Sequence, residues 1–226
     1  MGYFKTTKKV LSVCHEPEKF LNGLTANSLD KPQNVFVNLH GRIIATFDQI
    51  KINEDQFLLV IEESFIPAVL EHVDRYARLS HAKIQSENLT VYFDVDGSYK
   101  PDKGEFVIPQ KAGQLVLTAK NLSPLVSEAE FTVFRLKNNI PFLGIDYKDE
   151  MLLNVSETDF VSFTKGCFLG QEPIAKVHHR SKPTWKLAAK YEDECSAEEK
   201  AEMTSKAPDP VTGKVLGFVF VANNKD

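Results

Sequence analysis

The sequence predicts an α+β fold of antiparallel sheets with helices packed against them. Three observations carry this. Short runs rich in β-branched and aromatic residues recur along the chain, and residues 35–39 and 43–52 face each other across a glycine turn. Residues 66–77 repeat apolar side chains at helical spacing, and Ser127 with Glu130 spells a helix cap. Strand signals follow one another with only occasional helices between them, which suits antiparallel pairing better than regular βαβ alternation.

In chain order, Glu16-Pro17-Glu18-Lys19-Phe20-Leu21 opens a helix, with proline in the first turn and acids near the positive end of its dipole, and Asn22-Gly23 closes it. Residues 35–39 and 43–52 form a hairpin around His40-Gly41-Arg42, and residues 57–61 add a strand. Ser64 is expected to cap a helix through Ser80, in which Ile66, Val69, Leu70, Val73, Tyr76 and Ala77 make one apolar stripe. Pro67 is tolerated there because it lies in the first turn. Arg75, Tyr76 and Arg78 read as part of a core helix with a charged back, not as a nucleic-acid patch. Residues 89–95 and 113–119 add two strands around Asp96-Gly97 and a Lys/Pro/Asp stretch at 100–103. The helix capped by Ser127 carries Phe131, Phe134 and Arg135 and ends before Asn138. Residues 185–191 and 214–221 read as the last strands, separated by a Glu-, Lys- and Ala-rich stretch over 192–206.

A chain of 226 residues fits one large or two small domains, with enough apolar sequence for a sizeable core. The net charge of −4 gives no general reason to expect a nucleic-acid partner, so any anion site must be local. No apolar run approaches the roughly 18 residues that would span a bilayer. The start, Met1-Gly2-Tyr3-Phe4-Lys5, has no signal-peptide apolar region, so a cytoplasmic location without membrane contact is expected. The three cysteines, Cys14, Cys167 and Cys195, form no C-x-x-C pair, which argues against a disulfide framework and a self-contained zinc site. His178 and His179 are adjacent and cannot share a helix face as metal ligands do, so no metal site is expected.

The segment richest in chemistry is Lys165-Gly166-Cys167-Phe168-Leu169-Gly170-Gln171-Glu172. Gly166 and Gly170 allow a turn with φ > 0 or a close backbone approach. If the lead-in is extended, Lys165 and Cys167 share a side, and a nearby cation favours the thiolate. The competing reading is a buried cysteine acting as a small hydrophobe, which is how free cysteines usually behave.

This string, followed by Pro173-Ile174-Ala175-Lys176, resembles the K-G-C-[FY]-x-G-Q-E signature of YgfZ-type proteins, folate-binding relatives of the glycine-cleavage T-protein that act in iron–sulfur cluster assembly or repair. Residues 20–27 resemble the family's F-L-Q-G-x-x-T-N segment, and 135–141 its R-[IL]-x-x-G-[IVM]-P, with Asn139 in place of glycine. Asparagine tolerates the left-handed conformation, so that departure is mild. The resemblance spans roughly residues 15–180 and implies a T-protein-like fold. A first domain would comprise 1–48 and 138–180, a ferredoxin-like second domain 49–137, and a short remnant of a β-barrel 181–226. It further implies Cys167 as the essential thiol with Lys165 beside it, and Gly166, Phe168, Gly170, Gln171 and Glu172 as its setting. Tetrahydrofolate or a derivative would lie near the Gly41-Arg42 turn, contacted by Asn38, Arg42 and Arg135. Partners would be iron–sulfur client or assembly proteins, with an effect on tRNA-modifying iron–sulfur enzymes.

Two departures bear on activity. The T-protein needs a carboxylate just after the Gly-Arg-type turn, where this chain has Ala45 and Thr46. Asp48 has the right parity to share Thr46's face but lies about 6–7 Å further along the strand. The glutamate that meets the pterin edge in the T-protein is Lys137 here. A folate-dependent assembly factor is therefore expected ahead of an aminomethyltransferase-like enzyme, with a purely structural module as the third reading.

Overall fold

The computed structural model describes residues 2–223. Its strands are β1 (Tyr3–Lys5), β2 (Lys8–Cys14), β3 (Gln33–Val37), β4 (Ile43–Asn53), β5 (Gln56–Glu62), β6 (Lys83–Glu87), β7 (Thr90–Asp94), β8 (Phe106–Pro109), β9 (Gln114–Thr118), β10 (Trp185–Tyr191), β11 (Thr204–Pro208) and β12 (Val215–Ala222). The helices are α1 (Pro17–Asn22), α2 (Ile66–Ser80), α3 (Glu128–Lys137), α4 (Leu152–Val155), α5 (Gln171–Lys176) and α6 (Ala197–Glu202). The strands form three antiparallel sheets, ordered β3-β4-β5-β2-β6, β1-β7-β9-β8 and β10-β12-β11. The expected α+β class is what the molecule adopts. No helix among the described residues is long and apolar enough to cross a membrane.

The five-stranded sheet lies between two cores, which explains its unbroken apolar strands. On β5, Phe57, Leu59 and Ile61 belong to one core while Leu58 and Val60 belong to the other. On β2, Leu11 and Val13 face the first core and Val10 the second. The two-residue period of a strand therefore buries both faces, and such a strand shows no polar alternation in sequence. The second core is completed by Val91 and Phe93 of β7, Leu115 and Leu117 of β9, and Phe131 of α3, so the four-stranded sheet packs over this face. The first core takes in Val69 and Val73 of α2 and Leu187, Leu216 and Phe218 of the three-stranded sheet.

The ferredoxin-like order occurs earlier than expected. The run β2-α1-β4-β5-α2-β6, residues 8–87, has the sheet order β6-β2-β5-β4 of a split βαβ fold, with β3 added at the edge. The boundary expected between residues 48 and 49 falls inside β4, a single continuous strand. Strands β7 to β9 instead make a sheet with β1 at the N-terminus, a pairing across some ninety residues that no local pattern announces. Ser64 does not cap α2. It lies in a 3-10 turn, Glu63–Phe65, and Phe65 occupies the cap position without a side-chain bond. The capping box of α3 forms as expected, with Ser127 accepting from Glu130 N.

Candidate functional site

The loop that carries Cys167 is held from three sides. From the 20–27 segment, Leu169 N donates to Gly23 O at 2.9 Å and Ser162 N to Ala26 O at 3.0 Å. Phe168 is buried in the first core. The third anchor is the β3–β4 turn. Gly170 holds φ 83°, and a Cβ there would stand 2.3 Å from Asn38 O and 2.9 Å from Val37 Cγ2. Gly41, at φ 73°, meets α5 in the same way, with Ile174 and Pro173 at 3.0 and 3.2 Å from a built Cβ. The motif segments singled out in the sequence thus interlock, and Cys167 remains exposed at the crest of the loop.

Gly170→Ala is accordingly expected to be costly. The backbone carbonyl at Asn38 cannot yield as a side chain can, and the left-handed backbone adds about 1–2 kcal/mol for a residue with a Cβ. We expect a total loss of roughly 2–4 kcal/mol by overpacking and strain, read as a lowered denaturant midpoint. A loss below about 0.5 kcal/mol would show that the turn and the loop are not locked together.

Several expected site residues take other positions. Lys165 does not face the thiol. Its ammonium donates to Thr25 O at 2.6 Å and Asn27 O at 2.9 Å, lies 5.5 Å from the centre of the Phe168 ring, and is pushed down to about 8 by burial. The loop is irregular rather than extended, so Lys165 turns inward as a tether while Cys167 turns out. Gly166 has open space around it and no positive φ. Gln171 and Glu172 begin α5, with Glu172 exposed. Thr25 and Asn27, which sequence reasoning treated only as part of a resemblance, supply the carbonyls that position Lys165.

Asn38 Oδ1 accepts from His40 N and Arg42 N, so it closes the turn. Arg42 Nε pairs with Asp149 Oδ1 at 3.0 Å. Arg135 is 3% exposed and holds Asp146 Oδ2 at 2.8 Å, Ile140 O at 3.1 Å and Ser205 Oγ at 2.9 Å. Lys137 pairs with Asp209 at 2.8 Å, which keeps the Asp209 carboxyl well below its usual range and ties α3 to the β11–β12 turn.

A cavity of about 320 Å³ opens between the two larger sheets, and none of Asn38, Arg42, Arg135 or Lys137 lines it. Its apolar wall includes Phe47, Ile140, Phe142, Leu143, Phe160 and Leu187. Its polar end is built around Asp48, which is 3% exposed. One Asp48 oxygen accepts from Lys8 Nζ at 2.7 Å, the other from Gln110 Nε2 at 2.8 Å and Gln33 Nε2 at 3.4 Å. Burial lowers the Lys8 ammonium, but Asp48 and Glu62 more than offset this, and the net shift is upward. Thr46 Oγ1 and Tyr147 Oη are 2.6 Å apart on the same wall, and burial pushes the Tyr147 phenol well up. Thr46 and Asp48 do share one face of β4, as their parity predicted. Asn139 holds φ 51°, the left-handed conformation expected of it, and the following Ile140-Pro141-Phe142 enters the cavity wall.

Among the described residues no group of three or more His, Cys, Asp or Glu side chains is placed to hold a metal. His178 instead stacks on Phe163, with ring centres 3.7 Å apart.

A solved structure of the glycine cleavage system aminomethyltransferase T from Bartonella henselae matches with a TM-score of 0.76 at 13% identity, over 98% of this chain and 78% of that one. The fold is that of the T-protein. No protein-family model matches the chain. Among curated proteins, the chain is 29% identical over 79 residues to a "tRNA-modifying protein YgfZ" of Colwellia psychrerythraea, covering 34% of this chain and 24% of that one. It is 24% identical over 198 residues to an "Iron-sulfur cluster assembly factor IBA57 homolog, mitochondrial" of Mycosarcoma maydis, covering 71% and 49%. An uncharacterised protein of Haemophilus influenzae is 23% identical over 147 residues, covering 62% and 52%. The chain thus spans about half the length, or less, of these curated relatives.

Proposed function

We propose that this T-protein-like chain is a folate-binding, cysteine-dependent accessory factor in iron–sulfur cluster assembly or repair, with Cys167 as its reactive group. The observation that carries the reading is a thiol exposed on a loop whose neighbours are locked by Gly170 and Lys165. The names of the YgfZ and IBA57 relatives support the same theme. One thiolate is fewer than the usual four ligands of a cluster. A client or assembly protein would therefore supply the rest, and effects on tRNA-modifying iron–sulfur enzymes would follow through such clients.

The cavity's volume and its mix of donors and acceptors support a small flat heterocyclic ligand such as a reduced folate. Its volume lies within the roughly 300–1,000 Å³ of small-molecule sites. Apolar walls suit a flat pterin, and the amides of Gln33 and Gln110 beside Asp48 and Lys8 offer both donors and acceptors to its polar edge. When bound, the folate would supply one-carbon chemistry. The chain's own contribution is to orient it and exclude water. Asp48 is already satisfied by Lys8 and two amides, so it is poorly placed to act as the free carboxylate that aminomethyl transfer needs.

Calorimetric titration with tetrahydrofolate is expected to give saturable binding, and Gln110→Ala is expected to weaken it by about 1 kcal/mol or more by taking away an amide and loosening Asp48. Absence of saturable heat up to millimolar folate would remove the ligand from this reading and leave the cysteine chemistry alone.

A further inference from the structure

The acidic chain has a local concentration of cations beside its one tryptophan. Residues 176–182 read Lys-Val-His-His-Arg-Ser-Lys, with Lys176, His178, His179, Arg180 and Lys182 all exposed and no acid among them. The segment leaves α5 through a π-helical turn, Val177–Ser181, a rare geometry that recurs at functional positions. Lys182 then holds φ 56°, ψ 157°, a region that residues other than glycine seldom adopt.

Beside this turn lies a groove of about 690 Å³, separate from the cavity around Asp48, whose lining includes His40, Arg42, Lys182 and Trp185. Trp185 is 47% exposed. Asn154 and Thr184 add hydrogen-bonding groups to the same groove. Glu150 also lines the groove, where one carboxylate oxygen accepts from Met151 N and Asn154 Nδ2, and Arg42 is paired with Asp149, so Lys182 is the lining cation left to meet a phosphate.

We infer that single-stranded nucleic acid binds here, with a base stacked on Trp185 and a phosphate at Lys182 in the groove, and with the strand continuing outside the groove over the adjoining turn that exposes Arg180 and Lys176. An exposed aromatic ring with cations close to it is what sequence-tolerant single-strand binding uses, because every base offers a π-face and every linkage a phosphate. A duplex would not serve, since its bases are already stacked on one another. An acidic polypeptide would meet the same cations but would leave the Trp185 face without a matching flat group.

Because Trp185 is the chain's one tryptophan, its intrinsic fluorescence reports the contact directly. Titration of the whole chain with a short oligouridylate at low salt should quench that fluorescence saturably. By anisotropy with a labelled oligouridylate, Trp185→Leu should weaken binding roughly 10-fold. The combined Lys176→Gln, Arg180→Gln, Lys182→Gln variant should flatten the slope of log K against log salt by about 2, at roughly 0.7 for each phosphate no longer neutralised. This charge variant alters exposed side chains only, so it decides the matter should Trp185→Leu misfold by circular dichroism. No quenching at low salt, equal quenching by polyglutamate, or an unchanged salt slope in the charge variant would each overturn the inference.

Discussion

Cys167→Ala is expected to abolish the chain's support of iron–sulfur enzymes while changing its stability by less than about 1 kcal/mol. The side chain is exposed on a loop whose fixed points are its neighbours, so truncation leaves no cavity and no unpaired group. The other two thiols provide the control. Burial raises both the Cys14 and the Cys195 thiol, and Cys195 Sγ also donates to Tyr191 O at 3.3 Å. Native-state alkylation near neutral pH should therefore modify Cys167 first, as peptide mass mapping would record. If cells carrying the alanine variant keep full iron–sulfur enzyme activity, or if the native thiol resists alkylation, the functional assignment of Cys167 fails.

Asp146→Ala is expected to destabilise the fold by about 3–5 kcal/mol, a large part of the roughly 5–15 kcal/mol that holds a typical domain folded. The Asp146 carboxylate is fully enclosed and Arg135 nearly so. One Asp146 oxygen accepts from Arg135 and from Phe142 N, the other from Thr204 and Ser205. The pair therefore joins α3, the segment that forms the cavity wall, and β11. Removing the aspartate strands a buried guanidinium, whereas Arg135→Met combined with Asp146→Leu should recover much of the loss. Urea midpoints of the single and double variants measure this. A folate-contacting Arg135 would instead lower ligand affinity with little change in midpoint, so that outcome would refute the structural role.

The residues that carried most weight in the sequence were those whose requirement is local. Ser127 with Glu130, Pro17 and Asn139 announce backbone states that depend on their own neighbours, and each is found as expected. Residues 185–191, expected as a strand, form β10 over those bounds. The loop around Cys167 could be singled out because glycine, lysine and cysteine together are uncommon, and Gly170 proves to be glycine for the close approach that the residue type allows.

Other features depended on partners distant in sequence. β2 carries no alternation because both its faces are buried, and β1 is only three residues long, paired to a strand near residue 93. Lys165 was read as the neighbour of a thiol two positions away, but carbonyls some 140 residues earlier in the chain capture its ammonium. Arg135 looked like a ligand contact until Asp146 enclosed it. Nothing local to Asp48 announced that Lys8, Gln33 and Gln110 would converge on it from β2, β3 and the end of β8. By itself the sequence determined the fold class, the capping box of α3 and the position of the Cys167 loop, since propensity and backbone permission are properties of short segments. It did not determine the start of α2, where Ser64 does not cap. Tertiary structure alone decided which charges are satisfied and which side chains face the cavity, because a charged group's energy is set by the groups that folding brings within a few ångströms of it.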